Sequence, residues 1–259
     1  MTYTKRADQS IKGQSIGENP GIRLFQSIDA NDPIAVLKHG LKHFGSQIAL
    51  ASSFSMEDVA LIDMMAKLDR AARILALDTG RLNEETYECA EKIRHKYGCN
   101  IEWFFPDKDS VEQLITDKGL FSFKESIGDR QECCLIRKVL PLERALTGLL
   151  AWVTGQRRQQ SSTRANVQVI EIDEAHGGIV KLNPLAFWSA DQVKEYVDIH
   201  HIPYNRLYDL GYQSIGCGPC TRASAQGDDE RAGRWWWEDA AHKECGIHLV
   251  KPRNPAKEN

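Results

Sequence analysis

No stretch of this chain is long and apolar enough to cross a bilayer as a helix, so no membrane partner is implied. The opening residues, Met1-Thr2-Tyr3-Thr4-Lys5-Arg6, lack the apolar core of an export signal, and a cytoplasmic chain is the expectation. There is no surplus of positive charge. The balance of 33 basic and 36 acidic side chains is 33 − 36 = −3, which implies no polyanion and no nucleic-acid partner. An even cysteine count is missing too: there are seven. Without an export signal, that number points to a reducing compartment, with metal or thiol chemistry in place of structural disulfides. What is present, 259 residues at 42% hydrophobic, suits one α/β domain with a C-terminal extension.

Four of the seven cysteines fall into two tight pairs, Cys133-Cys134 and Cys217-Gly218-Pro219-Cys220. Four soft sulfur ligands suit zinc or an iron–sulfur cluster. Structural zinc draws thiolates from knuckles whose spacing lets two sulfurs converge on one ion, which adjacent cysteines do not easily do. Neighbouring cysteines can reach two irons of a polynuclear cluster, so a [4Fe–4S] site on Cys133, Cys134, Cys217 and Cys220 is the better reading. Two buried thiols beside a chance Cys-x-x-Cys is the competing one.

Residues 1–30, with Gly13, Gly17, Asn19-Pro20 and Gly21, read as a flexible arm carrying a short helix near Ile22–Ile28. Asp32-Pro33 then opens a helix to about Phe44, with an apolar face of Ile34, Leu37 and Leu41. Strands are expected at Ile48–Ala51, Arg73–Leu77 and Ile101–Phe105, with helices after the first two. That alternation indicates a parallel sheet with crossover helices. The first strand runs into Ser52-Ser53-Phe54-Ser55-Met56-Glu57-Asp58, where hydroxyls and helix N-terminal N–H groups make an anion or nucleotide cradle. Glu57 and Asp58 also suit a first helical turn with no ligand at all. Asp78 stands at the carboxyl end of the second strand, where open α/β sheets bind ligands, or it caps the helix Glu84–Tyr97. Cys89 and Cys99 have no paired spacing and read as packing residues.

Residues 107–150 are mostly helical, and Pro141 should divide that segment. If Cys134 and Lys138 share a turn they lie on one face, four apart, and a lysine would sit beside the thiolates. A solvated lysine is the even alternative. A buried strand at Ala151–Thr154 feeds Gly155-Gln156-Arg157-Arg158 and on to Arg164, an oxyanion site or a solvated basic loop. Val167–Ile172 and Ile179–Leu182 read as a hairpin across Gly177-Gly178, and Ser189-Ala190-Asp191-Gln192 as a capping box. Trp235, Trp236 and Trp237 cannot all face one side of a helix, so some are left to cover a site or partner. Cys245, alone in a polar segment beside Gly246, has the accessible setting of a reactive thiol.

From about residue 30 to 250 the sequence resembles assimilatory sulfonucleotide reductases, and among them the [4Fe–4S] adenylylsulfate (APS) reductases. The likeness rests on Ser53-Phe54-Ser55-Met56-Glu57-Asp58, Leu77-Asp78-Thr79-Gly80-Arg81, Cys133-Cys134 with Lys138, and Trp152-Val153-Thr154-Gly155 with Arg157. It extends to Cys217-Gly218-Pro219-Cys220, Arg231-Ala232-Gly233-Arg234 with the tryptophans, and Glu244-Cys245-Gly246-Ile247-His248-Leu249. The resemblance implies an adenine nucleotide α-hydrolase-like fold, that of the ATP pyrophosphatases. It divides the chain into the arm 1–30, a nucleotide- and cluster-binding domain 31–225 and a catalytic tail 226–259. It implies that the Cys245 thiolate attacks the sulfur of APS, releases AMP and becomes S-sulfocysteine. A thioredoxin-type dithiol then frees sulfite, and further copies of the chain are expected as partners. Substrate contacts are expected from Ser53, Phe54, Ser55, Glu57, Asp58, Leu77, Asp78, Thr79, Gly80, Lys138, Gly155, Arg157, Arg164, Arg231 and Arg234.

One departure stands out. ATP pyrophosphatases carry a Ser-Gly-Gly-x-Asp-Ser turn, whereas Phe54 and Met56 would crowd a triphosphate here. APS, with one phosphate and one sulfate, suits the altered turn. A cluster-containing reductase of PAPS, or of both nucleotides, is the near alternative. A tRNA-thiolating enzyme would need a glycine-rich turn and a basic face, and a non-catalytic cluster sensor would not need Cys245.

Overall fold

The computed structural model describes residues 20–225 and 227–239. After one helical turn at Pro20–Arg23, the chain enters α1 (Pro33–Phe44), β1 (Ile48–Ser52), α2 (Met56–Leu68), β2 (Arg73–Leu77), α3 (Glu84–Tyr97) and β3 (Ile101–Phe104). There follow α4 (Lys108–Lys118), α5 (Ile127–Cys134), a π-turn at Leu135–Val139, α6 (Leu140–Ala145) and β4 (Ala151–Val153). Last come β5 (Ile170–Asp173), β6 (Ile179–Leu182) and α7 (Ala190–Ile199).

The strands form one sheet in the order β3-β2-β1-β4-β6-β5, parallel except for the antiparallel β5–β6 hairpin at one edge. Order reverses between β1 and β4, and the loops leaving these strands diverge there. A crevice at the carboxyl ends follows from that topology. Burial on both faces explains why β1 and β4 read as near-continuous apolar runs. Within β1, Ile48 and Leu50 enter the core beneath α1 and α2, while Ala49 joins Leu75, Trp152, Leu142 and Leu146 on the opposite face. That is the period of two expected of a strand.

The elements follow local chemistry. Asp32 caps α1 by accepting from the Ile34 N–H, and Ser189 with Gln192 forms the full capping box of α7. Leu37 and Leu41 of the expected α1 face do pack on the core, joined by Val36, Gly40 and Phe44, whereas Ile34 is exposed. Gly40 permits this close packing, because a Cβ there would lie 2.8 Å from Leu182 Cδ1. Phe105 is exposed rather than part of β3, which ends just before Pro106. Residues 24–30, read as part of the arm, pack on the main core through Leu24, Phe25 and Ile28. The segment does divide ahead of Pro141; the widened π-turn accommodates a proline lacking the N–H that an α-turn would use.

Asp63 of α2 is the principal polar tie between helices. Its side chain is 2% exposed and receives Tyr97 Oη at 2.9 Å, Tyr196 Oη at 2.7 Å and Lys67 Nζ at 2.7 Å. Burial alone would raise its pKa, but these donors together hold it below the usual aspartate value. Its contribution is therefore present above the unfolded aspartate pKa of about 4 and is lost as pH falls through the folded value. Asp63→Asn should cost about 2 kcal/mol at pH 7 and flatten the acid limb of the stability curve, read by urea unfolding between pH 3 and 7.

Candidate active site

The crevice between β1 and β4 is a single cavity lined from five loops. From β1 come Ser53, Phe54, Ser55, Glu57 and Asp58. Ser55 caps α2, and the Asp58 carboxylate folds back to accept from the Ser53 N–H at 2.6 Å and its hydroxyl at 2.8 Å. The turn is thus closed by its own aspartate. Asp58 is buried, and desolvation pushes its pKa up to about 6 despite the Ser53 bonds and with Glu57 adding to the rise. Phe54 has φ +57° and its ring lies 5.8 Å from that of Trp103, forming an apolar wall.

From β4 comes Gly155, which no other residue could replace. A Cβ there would lie 2.5 Å from Asp58 Oδ1 and 2.8 Å from Glu57 Cβ. Arg157 does not line the cavity. It lies behind the wall, 1% exposed, with Nε on Glu57 at 2.8 Å and Nη2 on Glu230 at 2.5 Å. Desolvation opposes its charge, yet the two carboxylates hold its pKa above the ordinary arginine value. Gln160 extends the network from Glu57 to Arg164, which does line the cavity.

The loop after β2 divides its labour. Leu77 and Thr79 line the cavity. Asp78 accepts from the Gly80 N–H at 2.7 Å and from Tyr87 Oη, so Asp78 and Gly80 shape the turn from outside the wall. Thr79 also faces the thiols: its Oγ1 is 3.2 Å from Cys217 Sγ, and Arg137 donates to its carbonyl at 2.7 Å.

Beyond Thr79, Cys133, Cys217 and Cys220 are buried and Cys134 half-buried in one small cluster with Leu114, Phe123 and Trp235. The two distant pairs therefore do meet. Burial pushes the Cys220 thiol up to about 12, aided by Cys217 and opposed by Arg234 and Lys138. Burial likewise raises Cys133, opposed by Arg81 and Arg137. Four cations thus surround sulfurs that would be ionised only with a partner. Among the described residues no three His, Cys, Asp or Glu side chains are arranged to hold a single metal ion.

Lys138, Arg231 and Arg234 complete the cavity wall on the thiol side. Arg234 donates to the Ile215 carbonyl at 2.9 Å and passes so close to Gly216 that any Cβ there would overlap the guanidinium. The sequence reading gave no ligand role to Trp103, Tyr208 and Glu230, which line the cavity together with Thr154 and Gln156. Tyr208 accepts from the Met56 N–H across 152 positions, a contact that no local pattern signals. Cys245 lies outside the described residues.

Two tests follow. Gly155→Ala should abolish nucleotide binding, measured by calorimetry with AMP, because the wall cannot yield without moving Asp58. For Asp58 the folded pKa of about 6 lies above the unfolded value of 3.8. Stability attributable to its neutral form is full below pH 3.8 and falls as pH rises through 6, by up to about 3 kcal/mol. Asp58→Asn should remove that fall from a pH series of denaturation midpoints.

Residues 47–223 match the model of the phosphoadenosine phosphosulfate reductase domain. The chain is 45% identical over 230 residues to the adenosine 5′-phosphosulfate reductase of Pseudomonas aeruginosa, covering 87% of this chain and 85% of that one. It is 47% identical over 233 residues to the probable chloroplastic 5′-adenylylsulfate reductase 1 of rice, covering 87% of this chain but only 48% of the rice protein. The chain thus spans about half the length of such plant relatives. Among solved structures it resembles the phosphoadenylyl-sulfate reductase of Candida auris in a phosphate complex, with TM-score 0.62 and 30% identity over 73% of this chain and 89% of that one. The Candida glabrata FMN adenylyltransferase, at TM-score 0.52 and 13% identity over 87% of this chain and 78% of that one, shares the fold alone. With a sheet of this order, a cavity at its switch point and identity of this extent, the chain belongs to the sulfonucleotide reductases of the phosphoadenosine phosphosulfate reductase domain family.

Proposed function

We propose that this chain reduces adenylyl sulfate to sulfite and AMP, with Cys245 as nucleophile and a thioredoxin-type dithiol as reductant. The observation that carries the reading is the polarity of the cavity. Its lining combines an apolar wall of Phe54 and Trp103, fit for an adenine ring, with the cations Lys138, Arg231 and Arg234, fit for a phosphosulfate. Relatives at 45–47% identity carry the APS reductase name.

In the first step the Cys245 sulfur bonds to the sulfate sulfur, the bridging S–O bond breaks, and AMP leaves with the electron pair on its phosphate oxygen. The arginines and lysine screen the approach of a thiolate to an anion. In the second step a dithiol thiolate attacks Cys245 Sγ, sulfite departs, and the second thiol resolves the mixed disulfide. The dithiol supplies both electrons. Such chemistry needs a reducing setting, the cytoplasm.

The donor set fits a cluster. Cys133, Cys134, Cys217 and Cys220 would hold [4Fe–4S], with Arg81, Arg137, Lys138 and Arg234 offsetting its charge. When bound, it would supply fixed negative charge and rigidity beside the cavity. PAPS is the alternative substrate, favoured by the likeness to the Candida auris enzyme.

Sulfite release from each nucleotide with reduced thioredoxin, after anaerobic purification, decides between the substrates; faster turnover of PAPS would overturn the choice of APS. Cys245→Ser should lose the covalent adduct in intact mass and at least about a thousandfold in sulfite release, as when other enzymes lose a nucleophile, while retaining iron. Cys220→Ser should lose iron and visible absorbance.

A further inference from the structure

Glu230 reaches the cavity wall from the C-terminal segment. Its Oε2 accepts from Arg157 Nη2 at 2.5 Å, and Arg157 Nε lies 2.8 Å from Glu57 at the start of α2. One guanidinium thus ties Glu230 to the turn that carries Phe54. In the other direction Glu230 is joined by a peptide bond to Arg231, a cation of the same wall. The two glutamates differ in access: the Glu57 side chain is 8% exposed and that of Glu230 25%. Among the described residues, Glu230 Oε1 has no hydrogen-bond partner.

In adenylyl sulfate the ribose links the base to the phosphosulfate. With the base on Phe54 and Trp103 and the phosphosulfate on Lys138, Arg231 and Arg234, the sugar spans from one set to the other. Glu230 is held to both sets, through Arg157 to the turn of Phe54 and along the chain to Arg231. An ionised carboxylate is an acceptor only. It takes a charge-assisted hydrogen bond from a hydroxyl. To a phosphate it offers no donor and opposes its charge. PAPS differs from APS in one respect, a 3′-phosphate in place of a ribose hydroxyl. We infer that Glu230 is a specificity-determining residue, which accepts from the ribose hydroxyls of APS and rejects the 3′-phosphate of PAPS. Selection of this kind combines an attractive contact to one ligand with a repulsive one to its rival. The inference rests on the proposed choice of APS and deepens it by naming the group that enforces that choice.

The test is equilibrium binding by calorimetry on the full chain, purified anaerobically, with AMP and adenosine 3′,5′-bisphosphate as probes. Neither probe needs a nucleophile or a reductant. Wild type should bind AMP more tightly than the bisphosphate. Glu230→Gln, which keeps an acceptor for Arg157, should shift the ratio of the two affinities toward the bisphosphate by at least about tenfold, the worth of one charge-assisted hydrogen bond. Glu230→Asp, which keeps the charge, should retain most of the wild-type preference. Damage to the fold weakens both ligands together, so a relative gain for the bisphosphate separates selection from a structural role. Glu230→Ser is read in the same way if Glu230→Gln does not fold. Asp228→Asn removes an equal charge from an exposed position outside the cavity wall and should leave the ratio unchanged. An unchanged ratio in Glu230→Gln overturns the proposal and leaves the choice of APS standing. So does an equal shift in Asp228→Asn, which would mark a general effect of charge. A wild-type chain that prefers the bisphosphate rejects the choice of APS and the proposal with it.

Discussion

The site depends on one buried guanidinium. Arg157 joins Glu57 at the start of α2 to Glu230 in the C-terminal segment, from its own place in the loop after β4. Three stretches far apart in sequence therefore meet at a point that water barely reaches. Removing one partner of a buried pair leaves an uncompensated charge, with a loss of about 3–5 kcal/mol. Replacing the whole set with apolar groups would cost less. What the charges contribute is a single arrangement, in which Glu57 and Glu230 are neutralised from behind and the cavity in front can receive an anion. Glu230 shows the tension: desolvation raises its pKa, and Arg157 only partly offsets that rise.

Much of the frame was legible because local chemistry and tertiary structure agree. β2 and α3 run over Arg73–Leu77 and Glu84–Tyr97, the ranges expected from the sequence. The meeting of the two cysteine pairs was legible for another reason: paired thiols at such spacing have few uses other than shared ligation. Less legible were roles decided by which way a side chain turns. Asp78 and Arg157 were read as ligand contacts, and both residues bind protein groups outside the cavity wall. Tyr208 and Glu230 carried no signal, because a hydroxyl or carboxylate in an irregular segment looks the same in sequence whether it faces solvent or a cavity. The α1 face was read correctly at Leu37 and Leu41 but not at Ile34 or Gly40: glycine counts as neutral in a hydrophobic pattern, yet its lack of a side chain lets the helix approach Leu182.

The residue that separates this turn from a pyrophosphate-binding one is Phe54. Its φ of +57° is a conformation that glycine adopts at no steric expense. For an L-residue the penalty is about 1–2 kcal/mol. A buried aromatic side chain removes about 150–250 Å² from water, at about 25 cal/mol per Å², or roughly 4–6 kcal/mol. The ring, 1% exposed and beside Trp103, thus outweighs the backbone strain severalfold. The same comparison holds at Trp235, where φ is +40° and three guanidinium groups lie within 5.7 Å of the ring centroid. Two left-handed aromatic residues therefore bracket the site, one against the nucleotide cavity and one against the thiols. Glycine at either would relieve the strain and forfeit the wall. At position 54 it would also reopen the space that a triphosphate needs, so the strained phenylalanine both stabilises the turn and narrows what the cavity can accept.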